Sequence, residues 1–198
     1  MMGMGTRFEA DPLYGRPCES YQLQIGLAGV EGLIVVQRAL ADVGGDGLHL
    51  IPATALHVTV LPLVDAAERL TEPKAETWTR HEAGWRMAIA EACRRMAPFP
   101  LRFTRLRADA RAVIALDDAN PLAELRAALA AACGLPERPV RRPDITHVTL
   151  LRVRTAEQVR LPERLPALSV EVPVAGLRLV RETVFPTLAF DTLAEYAF

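Results

Sequence analysis

One three-residue word occurs twice in this chain, and its residue types can do chemistry. His57-Val58-Thr59 lies within Leu56-His57-Val58-Thr59-Val60-Leu61, and His147-Val148-Thr149 within Thr146-His147-Val148-Thr149-Leu150-Leu151. The chain has four histidines, so half of them head the same word. The β-branched and aliphatic surroundings predict a strand at each site. Residues i and i+2 of a strand share a face, so each imidazole stands beside a threonine hydroxyl while the valine points the other way. Two such strands facing each other would line one cleft with two imidazoles and two hydroxyls. An unperturbed imidazole titrates near ~6.5, so one ring can hold a proton that its partner lacks. The neutral ring can take a proton from an attacking water or hydroxyl, and the charged one can give a proton to a departing oxygen. The threonines can donate to nonbridging oxygens. This set suits a phosphodiester. A single word is better explained by a strand histidine packed among β-branched neighbours; the repetition favours chemistry.

The words are 90 residues apart in a chain of 198. That spacing suggests an internal duplication, although it exceeds a solenoid period and has only two copies. A proline precedes each histidine by four or five residues (Pro52, Pro143) and sets up an extended approach. Four histidines could suggest a metal site, but no His-x₃-His or Cys-x₂-Cys spacing exists, and metal ligation leaves the paired threonines unexplained. Neither a metal nor a cofactor is expected.

The length is most simply one domain with a sizeable core, and 51% apolar residues argue against disorder. No apolar run reaches the ~18 residues needed to cross a bilayer, and the first residues lack the apolar stretch of a signal peptide. Cys18, Cys93 and Cys133 are odd in number and far apart, which fits reduced thiols and a cytoplasmic location. A net charge of −1 supplies no field that draws the protein to long nucleic acid. The expected partner is a nucleotide or short RNA, with no long duplex and no membrane, and the chain is expected to act as a monomer.

Residues 1–18 read as a tail or capping arm and 19–198 as a single bilobal domain. Strands are predicted at 20–28, 56–64, 101–107, 112–116, 168–173, 177–184 and near 188–198, with a further one through the second word. Helices are predicted at 31–43, 80–96 and 121–133, with residues 65–79 as a loop. Asn120 is read as the N-cap of the third helix, Pro121 as its first residue and Gly134 as its C-terminal stop. This order fits an α+β domain with two similar lobes.

The two words and their flanks resemble the 2H phosphoesterase superfamily, which is named for two His-x-Thr motifs and includes 2′-5′ RNA ligase-like proteins and cyclic nucleotide phosphodiesterases. The stretch His49–Leu63 is similar to the first motif region. Pro143–Arg152, ending in His147-Val148-Thr149-Leu150-Leu151-Arg152, is similar to the second. Pro62 departs from the glycine often found after the first motif. The resemblance implies an α+β fold of two pseudo-symmetric antiparallel β-sheet lobes, with outer helices and a central cleft. It implies His57 and His147 as acid and base, and Thr59 and Thr149 as phosphate-binding groups. The activity implied is a phosphodiesterase or reversible ligase acting on 2′,3′-cyclic or 2′-5′ phosphodiesters. Hydrolysis of ADP-ribose 1″,2″-cyclic phosphate and a nucleotide-binding module without turnover are alternatives.

Other residues carry weaker signals. Arg141 and Arg142, in a Pro- and Arg-rich loop with Arg138, could reach a phosphate. Arg152 and Arg154 have the parity opposite to His147, so a regular strand points them away from the cleft. Tyr21, Trp78 and Trp85 could stack a base, with Trp85 better placed in a helix core. Gln22 and Gln24 share a face and could touch a ribose or face solvent. His49 reads as a surface-facing strand residue, with the cleft mouth as the alternative, and His81 reads as solvated, as does the Asp117-Asp118 turn. If two imidazoles supply acid and base, turnover should persist in excess EDTA; activity lost to chelator and restored by a divalent ion would place the protein in another mechanistic class.

Overall fold

The computed structural model describes residues 7–135 and 143–198, and among these the chain forms ten strands and three helices. In chain order they are β1 (Pro17–Gly26), α1 (Glu31–Gly44), β2 (Leu48–Leu50), β3 (His57–Val64), α2 (Lys74–Cys93), β4 (Phe99–Phe103), β5 (Arg105–Asp109), β6 (Ala112–Asp117), α3 (Ala123–Ala132), β7 (Thr146–Val153), β8 (Val170–Val174), β9 (Gly176–Val184) and β10 (Ala189–Ala197). One sheet has the order β10-β9-β1-β3, a second β2-β7-β6-β5, and β4 pairs with β8. All ladders are antiparallel. The fold is α+β and bilobal, with the motif strands β3 and β7 packed side by side where the two sheets meet.

The duplication extends well beyond the two words. In β1–β3, Gly26 faces His57, Gln24 faces Thr59, Leu23 faces Leu61 and Gln22 faces Pro62. In β6–β7, Leu116 faces His147, Ile114 faces Thr149, Val113 faces Leu151 and Ala112 faces Arg152. Every member of the second set lies 90 residues after its counterpart in the first. The third strand of each row follows suit: Arg178 of β9 faces Gln24, and Arg107 of β5 faces Ile114.

Both motif strands carry a bulge at the residue after the word. Val60 and Leu150 are skipped in the ladders, and burial along β3 and β7 loses its alternation at that point. A bulge leaves backbone groups without ladder partners and needs them satisfied from elsewhere. Each is met by a buried side chain from a helix of the other half. Arg126 of α3, 6% exposed, donates from Nε to the Val60 carbonyl at 3.0 Å and from Nη2 to the carbonyls of Thr59 (3.1 Å) and Ile145 (3.0 Å). Gln37 of α1 donates from Nε2 to the carbonyls of Leu150 and Ile51, both at 2.7 Å.

Several predicted boundaries move: the strand expected at 101–107 divides into β4 and β5, which join different sheets, and α3 begins at Ala123 rather than Pro121. Helix α2 starts at Lys74, so much of the segment read as a loop is helical. Trp78 belongs to the same buried stripe as Trp85, Ile89 and Cys93, which polar neighbours obscured in the sequence. Asn120 does not cap α3. It adopts a left-handed φ of 49°, and its side chain accepts from Thr146 Oγ1 (2.7 Å) and Arg126 Nη1 (3.1 Å) and donates to the Asp144 carbonyl (2.9 Å). Gly134 does end the helix, with φ 61° and paired bonds Gly134 N–Ala131 O and Leu135 N–Ala130 O. Asp117 is buried rather than solvated and accepts the Arg102 amide at 2.7 Å.

The described part of the N-terminal segment is laced to both lobes. Glu9 N donates to Ala110 O, Asp11 N to Val153 O, and Gly15 N to Phe185 O. No helix among the described residues is long and apolar enough to cross a membrane. Substituting Arg126→Ala should lower the unfolding free energy by more than about 3 kcal/mol in urea titrations, because three buried carbonyls lose their donors at once.

Candidate active site

Strand β3 places His57 and Thr59 half-buried on one face while Val58 is fully buried behind them; β7 repeats the pattern with His147, Thr149 and Val148. The two imidazoles lie close enough for the charge of His147 to oppose protonation of His57. Among the described residues neither threonine hydroxyl has a protein hydrogen-bond partner, so both are free to donate outward.

His57 Nδ1 sits 2.7 Å from the Ala55 carbonyl, which can only accept, so Nδ1 carries the hydrogen and Nε2 keeps a lone pair in the neutral ring. Burial pushes the His57 pKa down to about 4 against the opposing pull of that carbonyl; the charges of Arg178, His147 and Arg152 push the same way as burial. His147 is likewise lowered, chiefly by burial, with Arg152, Arg126 and Arg107 adding to it. The Ile145 carbonyl bears on His147 from the matching position and raises its pKa, but without the alignment of a hydrogen bond, and Nδ1 remains buried and unpartnered among the described residues. Both shifts favour the neutral imidazole at pH 7.

Arg152 is brought into this site, contrary to the parity of a regular strand. The bulge at Leu150 shifts the alternation by one residue, so Arg152 shares the face of His147 and Thr149. Its Nη1 pairs with the Asp11 carboxylate at 3.1 Å, and its guanidinium lies 5.4 Å from the centre of the Phe185 ring. Asp11 is almost fully enclosed, with 4% of its side chain exposed. The first-lobe counterpart of Arg152 is Pro62, so only one side of the pseudo-symmetric pair carries this cation. Arg154 lies beyond the end of β7 and is exposed.

His49 faces Arg152 across β2–β7 and stacks on Tyr14, with ring centres 3.9 Å apart. Gln22 and Gln24 are buried, at 8% and 0% exposure, and both donate to Thr187 Oγ1. Thr187 in turn is anchored to the buried Glu182, which also accepts from Ser20 Oγ at 2.7 Å. This network replaces the solvent-facing reading of the two glutamines.

Tyr21 has no place in the cleft. It is 3% exposed on the helix side of β1, stacked on Trp78 at 4.4 Å, because its parity is opposite to that of Gln22 and Gln24. Trp85 is core and donates from Nε1 to the Cys133 carbonyl. His81 is exposed on α2 and stacks against Trp85. Arg138, Arg141 and Arg142 lie outside the described residues. Surface hollows between α2 and α3, and beside Asn120 and Pro143, contain neither motif histidine. Sequence reasoning missed Arg178, Arg107, Arg126 and Asp11; the 90-residue offset could have paired the strands β1 and β6, but not the contacts of the arm.

The fold is similar to that of TT0787 of Thermus thermophilus, at 24% identity over 90% of this chain and 97% of that one, with a TM-score of 0.62. It is similar to E. coli LigT in apo form (17% identity, 92% and 98% coverage, TM-score 0.59) and complexed with 3′-AMP (17%, 92% and 99%, TM-score 0.63). A family model described as the 2′-5′ RNA ligase superfamily matches residues 36–184. No curated protein matches the chain.

The depressed His57 pKa has a consequence for stability. Its contribution is fully present above the unfolded value of ~6.5 and is lost as pH falls from there through about 4, because the unfolded chain then binds protons that the folded one resists. Urea midpoints measured between pH 7 and 4 should therefore fall more steeply for the wild type than for His57→Asn, by up to roughly 3 kcal/mol in unfolding free energy.

Proposed function

Because the chain belongs to the 2′-5′ RNA ligase superfamily, whose model spans residues 36–184 of it, we propose that it cleaves, or reversibly forms, 2′,3′-cyclic or 2′-5′ phosphodiesters of nucleotides or short RNA. The observation that carries this reading is the pair of His-x-Thr strands, side by side, with their hydroxyls uncommitted and the charge of His147 bearing on His57. E. coli LigT, of similar fold, is known in complex with 3′-AMP, which supports a nucleotide as the ligand of this chain.

The proposed steps follow from the residues. A phosphodiester anion entering between β3 and β7 meets Thr59, Thr149 and Arg152, and its negative charge raises the affinity of the imidazole pair for a proton. One ring then holds that proton and the other remains a base. The neutral ring takes a proton from the attacking water or hydroxyl as the new P–O bond forms. The imidazolium gives its proton to the oxygen that leaves. The pair ends with its protons exchanged and is reset through solvent. Both proton carriers are side chains of the protein, so the acid–base chemistry is complete without a metal-bound water.

Incubation with a panel of 2′,3′-cyclic nucleotides, 2′-5′ dinucleotides and ADP-ribose 1″,2″-cyclic phosphate should identify the substrate and the isomer released. On the best substrate His57→Ala and His147→Ala should each lower kcat by roughly 10²–10⁴. The double variant should be little worse, since the two groups serve one transition state. Thr59→Ala and Thr149→Ala should cost less. The pH profile of kcat/KM should be a bell centred below pH 6.5, because both imidazoles are depressed in the free protein; the kcat profile should shift upward, because bound phosphate restores the proton. Near-wild-type turnover in either histidine variant would refute the two-histidine mechanism.

A further inference from the structure

Four guanidinium groups bear on the two imidazoles, and three are already partnered. Arg126 is saturated by three carbonyls and Asn120. Arg152 is neutralised by Asp11 at 3.1 Å, and Arg107 by Asp109 at 2.8 Å. Arg178 is different. Its Nε (3.3 Å) and Nη2 (3.1 Å) both point at one neutral atom, Gln24 Oε1. Among the described residues it has no carboxylate at ion-pair distance, and its Nη1 has no acceptor. Glu195, its neighbour across β9–β10, acts on it only through its charge. The pseudo-symmetric counterpart of Arg178 is the paired Arg107, so of these two matched guanidinium groups only Arg178 lacks a carboxylate.

The place of Arg178 is well defined. Gly26 faces His57 across β1–β3. The guanidinium covers Gly26 so closely that a Cβ built there would lie 3.1 Å from Cζ and Nη1. The cation therefore stands on the histidine face, about one strand spacing (~4.8 Å) beyond His57. Below it lies Phe190 of β10, whose ring centre is 4.6 Å from Cζ. Gln24, 0% exposed and fixed by Thr187, sets its height above the sheet. A rigid, half-buried guanidinium with free donors and no ion-pair partner matches a phosphate oxygen pair. Left empty, it opposes the proton that the neighbouring imidazole must carry. A second anion on the substrate would meet both conditions.

We propose that Arg178, carried by Gln24 and Phe190, binds a second phosphate group of the substrate, a terminal phosphomonoester lying on the first-lobe side of the scissile bond. The substrate class is then a nucleotide bearing a 5′-phosphate in addition to its cyclic or 2′-5′ phosphodiester. This rests on the phosphodiesterase reading for the identity of the scissile bond.

The test compares two ligands on three proteins. Binding of adenosine 3′-monophosphate and adenosine 3′,5′-bisphosphate is measured by calorimetry for the wild type, Arg178→Met and Arg178→Lys, with melting curves to confirm folding. Turnover of adenosine 2′,3′-cyclic phosphate is measured with and without a 5′-phosphate. The wild type should bind the bisphosphate roughly 10- to 100-fold more tightly and show a similar preference in kcat/KM, as a charge-assisted hydrogen-bond pair supplies. Arg178→Met should bring that ratio close to one, and Arg178→Lys should keep part of it. Equal binding of the two ligands by the wild type, no binding of either, or a ratio that survives in Arg178→Met would overturn the subsite. If Arg178→Met does not fold, the wild-type and Arg178→Lys ratios decide. A wild type that discriminates between the ligands yet turns over no cyclic or 2′-5′ compound leaves the subsite standing and sinks the phosphodiesterase reading; turnover without discrimination does the reverse.

Discussion

The arrangement of the site depends on one buried cation that has no acid partner. Arg126 spends its hydrogen bonds on the carbonyls of Thr59, Val60 and Ile145 and on Asn120, so one side chain holds the bulge of β3, the approach to β7 and the turn before α3. Burial draws its pKa down to about 10, a measure of how unfavourable that position is for a charge. The charge is tolerated because the buried carbonyls around the bulge need donors as much as the guanidinium needs acceptors. Gln37 does the same service for Leu150 without a charge. Each helix thereby fixes the motif strand of the opposite half, and the two halves are cross-braced at the positions that carry the histidines.

Much of this organisation was legible in the chain because it follows from short-range rules. The repeated His-x-Thr words, the alternation around them and the β-branched surroundings fix which side chains share a face. The left-handed Gly134 and the stripe of α3 mark a helix end that the structure reproduces. Parity reasoning failed where a bulge intervened. Arg152 moved from the back of the strand to its front because one skipped residue inverts everything after it. No local signal in Val148-Thr149-Leu150-Leu151 announces that skip. The Leu150 carbonyl is met by Gln37 and by the Ile51 amide, both about a hundred residues earlier. Asn120 was misread for a similar reason: its side chain is claimed by Thr146 and Arg126, which the sequence does not bring near it.

The N-terminal arm shows how a peripheral segment can enter the chemistry. Residues 7–16 cross from Ala110 and Val153 in the second lobe to Phe185 in the first. On the way the arm delivers Asp11 to Arg152 and Tyr14 to His49. A composition of glycine, proline and charge read as a tail or cap, yet its one enclosed carboxylate orients a guanidinium that bears on both imidazoles. The strand β1 begins at Pro17, so the arm runs directly into the first lobe after delivering Asp11 and Tyr14.

The broken two-fold has a further meaning. A phosphodiester is a directional group: one of its bridging oxygens leaves and the other stays. A site with perfect two-fold symmetry would accept such a group either way round and would cut at random. Here the histidines and threonines obey the symmetry, while Arg152 stands opposite Pro62, Gln24 opposite Ile114, and the unpaired Arg178 opposite the neutralised Arg107. Duplication supplied two equivalent His-Thr pairs, and divergence at the neighbouring positions removed their equivalence; under the proposed phosphodiester chemistry, the sense in which a substrate is threaded would select which bond breaks.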